Sequence, residues 1–306
     1  MACASWHYLL VSMIFLFRLL ARVPLPWMHA MGSGLGWLVW WLAPDYRRRF
    51  KENAEAAGFT WAQYRPAIAA AGAAVGELPL IWARPQGQSL LPYVVRWDGI
   101  EAFEAALAAR KGVILVSPHL GSWETLGQAV GERFVDTHGP ITALYRPARK
   151  KIMADLLAGS RDRIGLRMLP TTVAGVRGLI RTLRNGGYTG ILPDQVPPLG
   201  QGVWAPFFGR PAYTMTLVSR LAQQTGARVF FGVCERLPRG AGFAIRFVPF
   251  DGTAMNDPKA TPEAAATAMN AGVEALIRIL PGQYVWDYAR YKQPREEIVV
   301  ADKADA

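Results

Sequence analysis

The chain has 306 residues, 51% of them hydrophobic, which is enough for one large core or for a core plus a membrane anchor. Lys and Arg number 34 against 23 Asp and Glu, a net charge of +11, so the long-range field favours anionic partners. Eleven Trp, thirteen Phe and a mean hydropathy of +0.12 argue for lipid rather than nucleic acid, and two cysteines, Cys3 and Cys234, exclude a disulfide scaffold or a cysteine-rich zinc cluster.

Tyr8 to Phe17 is apolar, Arg18 and Arg22 interrupt, Pro24 and Pro26 break the helix, and a second apolar stretch runs from Trp27 to Ala43. A bilayer core needs about 20 apolar residues in one helix, so the expectation is a tilted span or an interfacial hairpin. A cleaved secretory signal fits less well, because no Lys or Arg precedes the apolar run. Arg47, Arg48, Arg49 and Lys51 follow directly, and by the positive-inside bias a single span leaves the rest of the chain in the cytoplasm. A buried helix pair followed by a solvated turn is the alternative. The expected organisation is an anchor over 1–45 and a catalytic domain over 46–306.

Residues 52–85 are Ala-rich, with Pro66 and Pro79 as breaks, and predict two or three helices. Strands are then predicted at Tyr93–Trp97, Gly112–Ser117, Ile141–Tyr145 and Tyr188–Leu192, with helices over 100–110, 122–132, 148–164 and 173–185 between them. That alternation predicts an α/β fold with a partly parallel central sheet flanked by helices. Arg228–Glu235 and Phe243–Phe250, joined by a Pro and Gly-rich turn, read as a hairpin, which makes the sheet mixed. A last helix is expected over Pro262–Leu280, before the aromatic tail at Tyr284, Trp286, Tyr288 and Tyr291.

The chemistry concentrates in GVILVSPHLGSWET, residues 112–125. An apolar strand stops at Pro118 and delivers His119 to its carboxyl end, the edge at which open α/β sheets bind ligands. Gly121 supplies a turn and Glu124 falls in the first turn of the next helix, so a loop between the two can fold the carboxylate onto the imidazole. Such a pair would fix the tautomer of a general base. A capping histidine followed by an acidic helix N-terminus is the competing reading. Ser122 lacks the G-x-S-x-G elbow of a hydrolase, and His119, Glu124, Asp136 and His138 lack the short spacing of a zinc site.

Five blocks, HLGSWE at 119–124, LYRP at 144–147, LPDQ at 192–195, PFFG at 206–209 and QYVWDYARYK at 283–292, stand in one order behind an apolar N-terminus and a basic run. In this the chain resembles the lipid A biosynthesis lauroyl/myristoyl acyltransferases, within the wider lysophospholipid-acyltransferase-like group. The resemblance implies that His119 is the general base, Glu124 its orienting carboxylate, an acyl carrier protein thioester the donor and a phosphorylated, acylated glucosamine disaccharide the acceptor. It also implies an inner-membrane location, with the active site on the cytoplasmic side among inner-membrane lipids. No metal or organic cofactor is needed, because the thioester is already activated; coenzyme A is the other possible donor.

Arg146, Arg161 and Arg163 are expected to meet acceptor phosphates as bidentate forks, and Asp194 and Gln195 to position substrate at the edge His119 occupies. Arg149, Lys150 and Lys151 suit either an acidic carrier protein or anionic headgroups. Val196 to Tyr213, rich in Pro and Gly with Trp204, Phe207 and Phe208, is expected as a loop that covers the acyl chain or touches the membrane, with ordinary loop packing as the competing reading. Asp287 stands where family members often carry histidine, which puts local contacts and acceptor choice in question. Competing functions are the same chemistry on a phosphatidylinositol mannoside, ornithine lipid or glycerophospholipid, and a non-catalytic lipid-binding module.

Overall fold

The computed structural model describes residues 15–145, 163–248, 250 and 252–296. Residues 15–20 are helical, and the chain turns before Pro24 into α1 (Leu25–Leu42). A helical stretch follows, α2 (Pro44–Ala56), α3 (Trp61–Tyr64), α4 (Pro66–Gly76) and α5 (Leu78–Ala83), each of α2, α4 and α5 opening with proline in its first turn, where the missing N–H costs nothing. Sequence had predicted two or three helices over 52–85.

From residue 94 onward strands and helices alternate, with β4 an addition to the expected strands: β1 (Val94–Asp98), α6 (Ile100–Ala108), β2 (Val113–Val116), α7 (Trp123–His138), β3 (Ile141–Tyr145), β4 (Leu166–Pro170), α8 (Val173–Arg184) and β5 (Tyr188–Ile191). After these come β6 (Gly202–Phe207), β7 (Arg210–Met215), α9 (Leu217–Thr225), β8 (Arg228–Arg236), β9 (Phe243–Val248), α10 (Thr253–Asn256) and α11 (Pro262–Ile279). Seven strands form one sheet in the order β1-β9-β8-β2-β5-β3-β4. Every pairing is parallel except β8 with β9, so the fold is mixed α/β with a mostly parallel centre.

Central β2 shows why. All four of its residues are buried, Ile114 and Val116 in the core on one face and Val113 and Leu115 in the core on the other. A strand covered on both faces reads as a continuous apolar run.

Two expectations are changed. The segment expected as a loop, Val196 to Tyr213, contains a two-stranded ribbon in which β6 pairs antiparallel with β7 and Pro206 faces Pro211. Proline is tolerated there because, among the described residues, neither strand has an outer strand awaiting an N–H. Phe207 and Phe208 are buried against Trp286 and Tyr291 rather than offered to a membrane, while Trp204 is exposed. The helix predicted over 148–164 lies almost wholly outside the described residues, as do Arg146, Arg149, Lys150, Lys151 and Arg161.

α1 packs face to face on α4 through glycines: a Cβ on Gly72 would collide with the carbonyl oxygen of Gly32, and one on Gly36 with that of Ile68. Its opposite face is bare. Trp27, Met31, Leu35, Leu38, Trp41 and Leu42, spaced as one helical stripe, are exposed, Trp27 and Trp41 each at 67%. Among the described residues one stretch, Trp61–Ala83, is long and apolar enough to cross a membrane, but half of it is buried within the protein and it is divided among α3, α4 and α5.

Candidate active site

Parallel pairing explains how two distant motifs meet. Val116 of β2 is in register with Ile191 of β5, so His119 and Asp194, each three residues past the strand end, emerge side by side at the carboxyl edge. Asp194 Oδ1 accepts from His119 Nδ1 at 2.7 Å, and Oδ2 from the His119 main-chain N–H at 2.9 Å. Tyr284 is buried beside the same carboxylate: burial first, then the Asp194 charge, push its phenol well up. On the other side of the ring, the Gln195 amide nitrogen lies 3.2 Å from Nε2 at the exposed rim.

The intervening turn is pressed against the sheet. Gly121, at φ +60, is in the left-handed region, and a Cβ there would strike the Cys234 carbonyl oxygen of β8. Ser122 N–H donates to that same oxygen at 2.7 Å, Gly121 N–H to Gln283 O at 3.1 Å, and Val285 N–H to His119 O at 3.2 Å. α7 then begins at Trp123, whose indole lies 5.1 Å from the His119 ring, and places Glu124 in its first turn.

Glu124 makes its hydrogen bond with the Trp82 indole N–H, 3.3 Å from Oε2. The carboxylate on Nδ1 is therefore that of Asp194, and Glu124 acts on the imidazole through space. Burial alone would pull the His119 pKa down, but the charge and hydrogen bond of Asp194, with a smaller contribution from Glu124, hold it above its ordinary value. For Asp194, burial is outweighed by the histidine's charge and by its bonds to the His119 side chain and main chain, so its carboxyl stays below the usual range. Burial pushes Glu124 up, only partly offset by Trp82 and His119.

Arg163 is placed differently from expectation. It is buried, at 6% exposure, and its guanidinium holds the main-chain oxygens of Trp82 and Arg84 at the C-terminal end of α5, where a cation is favoured by the helix dipole. Both of its terminal nitrogens donate to backbone oxygens. Sequence reasoning gave Asp194 and Gln195 to the edge of His119, but assigned the imidazole to Glu124; the equal three-residue offset from adjacent parallel strands was the signal for Asp194.

The aromatic tail laces the site together. Gln283 pairs with the Arg236 main chain through both ends of its amide, and Tyr288 accepts from Val196 N–H at 2.9 Å. Arg290 donates to Tyr213 O at 2.6 Å and Thr214 Oγ1 at 2.7 Å. Asp287 sits apart from His119, its main-chain oxygen 3.4 Å from Arg49 in the basic run of α2. Among the described residues no three His, Cys, Asp or Glu side chains gather as a metal site.

A carboxylate-held histidine at the carboxyl edge of an open, mostly parallel sheet defines an α/β enzyme site. The chain belongs to the bacterial lipid A biosynthesis acyltransferases, whose family pattern it matches over residues 4–293. It is 26% identical to a lipid A biosynthesis lauroyltransferase of Escherichia coli, with 92% of this chain and 90% of that protein covered. A lipid A biosynthesis acyltransferase of Haemophilus influenzae is also 26% identical, over 92% and 89%. A phosphatidylinositol mannoside acyltransferase of Mycobacterium tuberculosis is 28% identical, over 48% of this chain and 46% of the relative. The protein is thus an acyltransferase of lipid A biosynthesis.

Proposed function

We propose that the enzyme moves a lauroyl or myristoyl-class chain from an acyl carrier protein thioester to a hydroxyl of a lipid A precursor, with His119 as general base. The observation that carries this is the Nδ1–H bond to Asp194, which leaves the Nε2 lone pair on the side of the exposed Gln195 rim. An acceptor hydroxyl displaces the Gln195 amide and gives its proton to Nε2 as its oxygen attacks the thioester carbonyl. A C–O bond forms, the C–S bond breaks, and the departing sulfur takes the proton back from Nε2. Asp194 stabilises the imidazolium by contact and Glu124 by its charge, which reconciles the expected His119 and Glu124 pair with the observed His119 and Asp194 bond.

Arg146 directly follows β3, whose carboxyl end lies at the same edge, and Arg161 lies in the segment before β4; we assign both to acceptor phosphates. The bare stripe of α1, flanked by Arg47, Arg48, Arg49 and Lys51, suits the inner leaflet of an inner membrane seen from the cytoplasm, apolar side chains entering the acyl region and cations meeting headgroups.

The test is transfer from radiolabelled lauroyl and myristoyl carrier protein to a lipid A precursor in detergent, comparing wild type with His119→Ala. Transfer that the variant loses supports the reading; none by wild type refutes the acceptor. The match to the mannoside acyltransferase favours one second reading, the same chemistry on a phosphatidylinositol mannoside, and that acceptor belongs in the same assay.

A further inference from the structure

Glu77 lies at the junction of α4 and α5, 1% exposed, and is the centre of a buried polar cluster drawn from four parts of the chain. Arg236 at the end of β8 grips both of its oxygens at 2.7 Å. His29 of α1 lies 3.0 Å from Oε2. Ser122, fully buried in the turn between His119 and Glu124, donates its hydroxyl to Oε1 at 2.6 Å, with Thr125 Oγ1 2.8 Å from the same hydroxyl.

Two more contacts from the same segment reach the same helix: Trp82 to Glu124 and Arg84 to Gln128 at 2.7 Å. The segment 77–84 thus grips the start of α7 at 122, 124 and 128. A buried ion pair is poor evidence of a stabilising role, because apolar side chains of similar volume commonly serve a fold as well or better. What an apolar pair cannot do is hold the Ser122 hydroxyl.

We propose that Glu77 is a positioning residue of the transfer site: braced by Arg236, it fixes Ser122 and so sets the turn that carries His119 to Glu124. The proposal rests on the reading that His119 and Glu124 serve the transfer, and adds what holds them in place.

The test exchanges the pair for apolar residues of similar volume, Glu77→Leu with Arg236→Met, beside Ser122→Ala and His119→Ala. The double variant is expected to fold, with a lowered melting temperature because His29 and Ser122 lose an acceptor, while kcat falls about 10–100-fold and KM for the acyl donor stays within about twofold, the cost of a small misplacement of reacting groups. Ser122→Ala leaves the ion pair intact and carries the same expectation, so it decides the matter if the double variant does not fold. Wild-type kcat in the folded double variant or in Ser122→Ala, or a loss confined to KM, overturns the proposal. His119→Ala reports separately on the underlying reading: retained transfer there defeats the base assignment, whatever Glu77 does.

Discussion

Replacing Asp194 by asparagine preserves shape and removes one acceptor. Both carboxylate oxygens accept, one from the His119 main-chain N–H at 2.9 Å and one from Nδ1–H at 2.7 Å. An amide must therefore turn its NH2 toward one of them. The main-chain N–H cannot change its role, whereas the imidazole can, so the amide NH2 faces Nδ1 and the ring proton moves to Nε2. The lone pair that should receive the hydroxyl proton is then lost. General-base catalysis contributes about 10²–10⁴-fold, so kcat for acyl transfer should fall by that factor, which at about 1.4 kcal/mol per decade is roughly 3–5 kcal/mol of transition-state stabilisation.

The pH profile should move as well. A general base works when neutral, so activity rises with pH through the His119 pKa, which Asp194 holds above its ordinary value against the effect of burial. Without the carboxylate charge burial is less opposed, and the acid limb of residual kcat/KM shifts to lower pH. The assay is initial-rate transfer across about pH 5.5–9, which spans the ordinary histidine range and the values above it, with folding checked by circular dichroism. A folded Asp194→Asn enzyme within about threefold of wild type would refute the tautomer argument, and a limb displaced to higher pH would refute the electrostatic one.

Arg163→Ala should lower the melting temperature, with about 2–3 kcal/mol of charge-assisted hydrogen bonding lost, and leave KM for the phosphorylated acceptor unchanged; a raised KM at unaltered stability would return Arg163 to substrate binding. Gly72→Ala should destabilise by about 1–3 kcal/mol in thermal unfolding because its methyl meets the Gly32 carbonyl, whereas Gly34→Ala on the same helix pair, with open space around it, should be neutral or stabilising by up to about 1 kcal/mol. Trp27→Ser with Trp41→Ser should weaken co-flotation with anionic vesicles while leaving transfer to a short-chain, detergent-soluble acceptor near wild type, as both indoles are exposed and distant in sequence from the catalytic blocks; undiminished flotation would remove the stripe from the membrane contact.

Central strands were legible because each is a short, almost purely apolar run between turn residues: Ile141–Tyr145 coincides with β3, and β2 and β5 differ only by a residue or two at their ends. α11 was expected from Pro262 onward, and the structure adds Thr261 as its cap, accepting from Ala264 N–H. β6 and β7 were hidden because proline and glycine, which mark loops elsewhere, cost little in a ribbon with two free edges.

For the candidate site, the HLGSWE block singled out His119, yet proximity in sequence favoured Glu124 as the partner of the imidazole over a carboxylate 75 residues away. Only strand order, β5 beside β2, decides that question, and order is a property of the assembled sheet. Arg163 misled for the opposite reason: nothing in a run of arginines distinguishes the one that will be drawn inside to satisfy backbone oxygens.

The glycine contact between α1 and α4 has a practical consequence for anyone wishing to free this enzyme from detergent. Removing the apolar N-terminus back to Pro44 would take away His29 from Glu77 and uncover the small-residue groove of α4. A shortened enzyme should instead begin just ahead of Leu25, and be made water-compatible by recolouring the stripe at Trp27, Met31, Leu35, Leu38, Trp41 and Leu42 with polar side chains, leaving the helix itself in place.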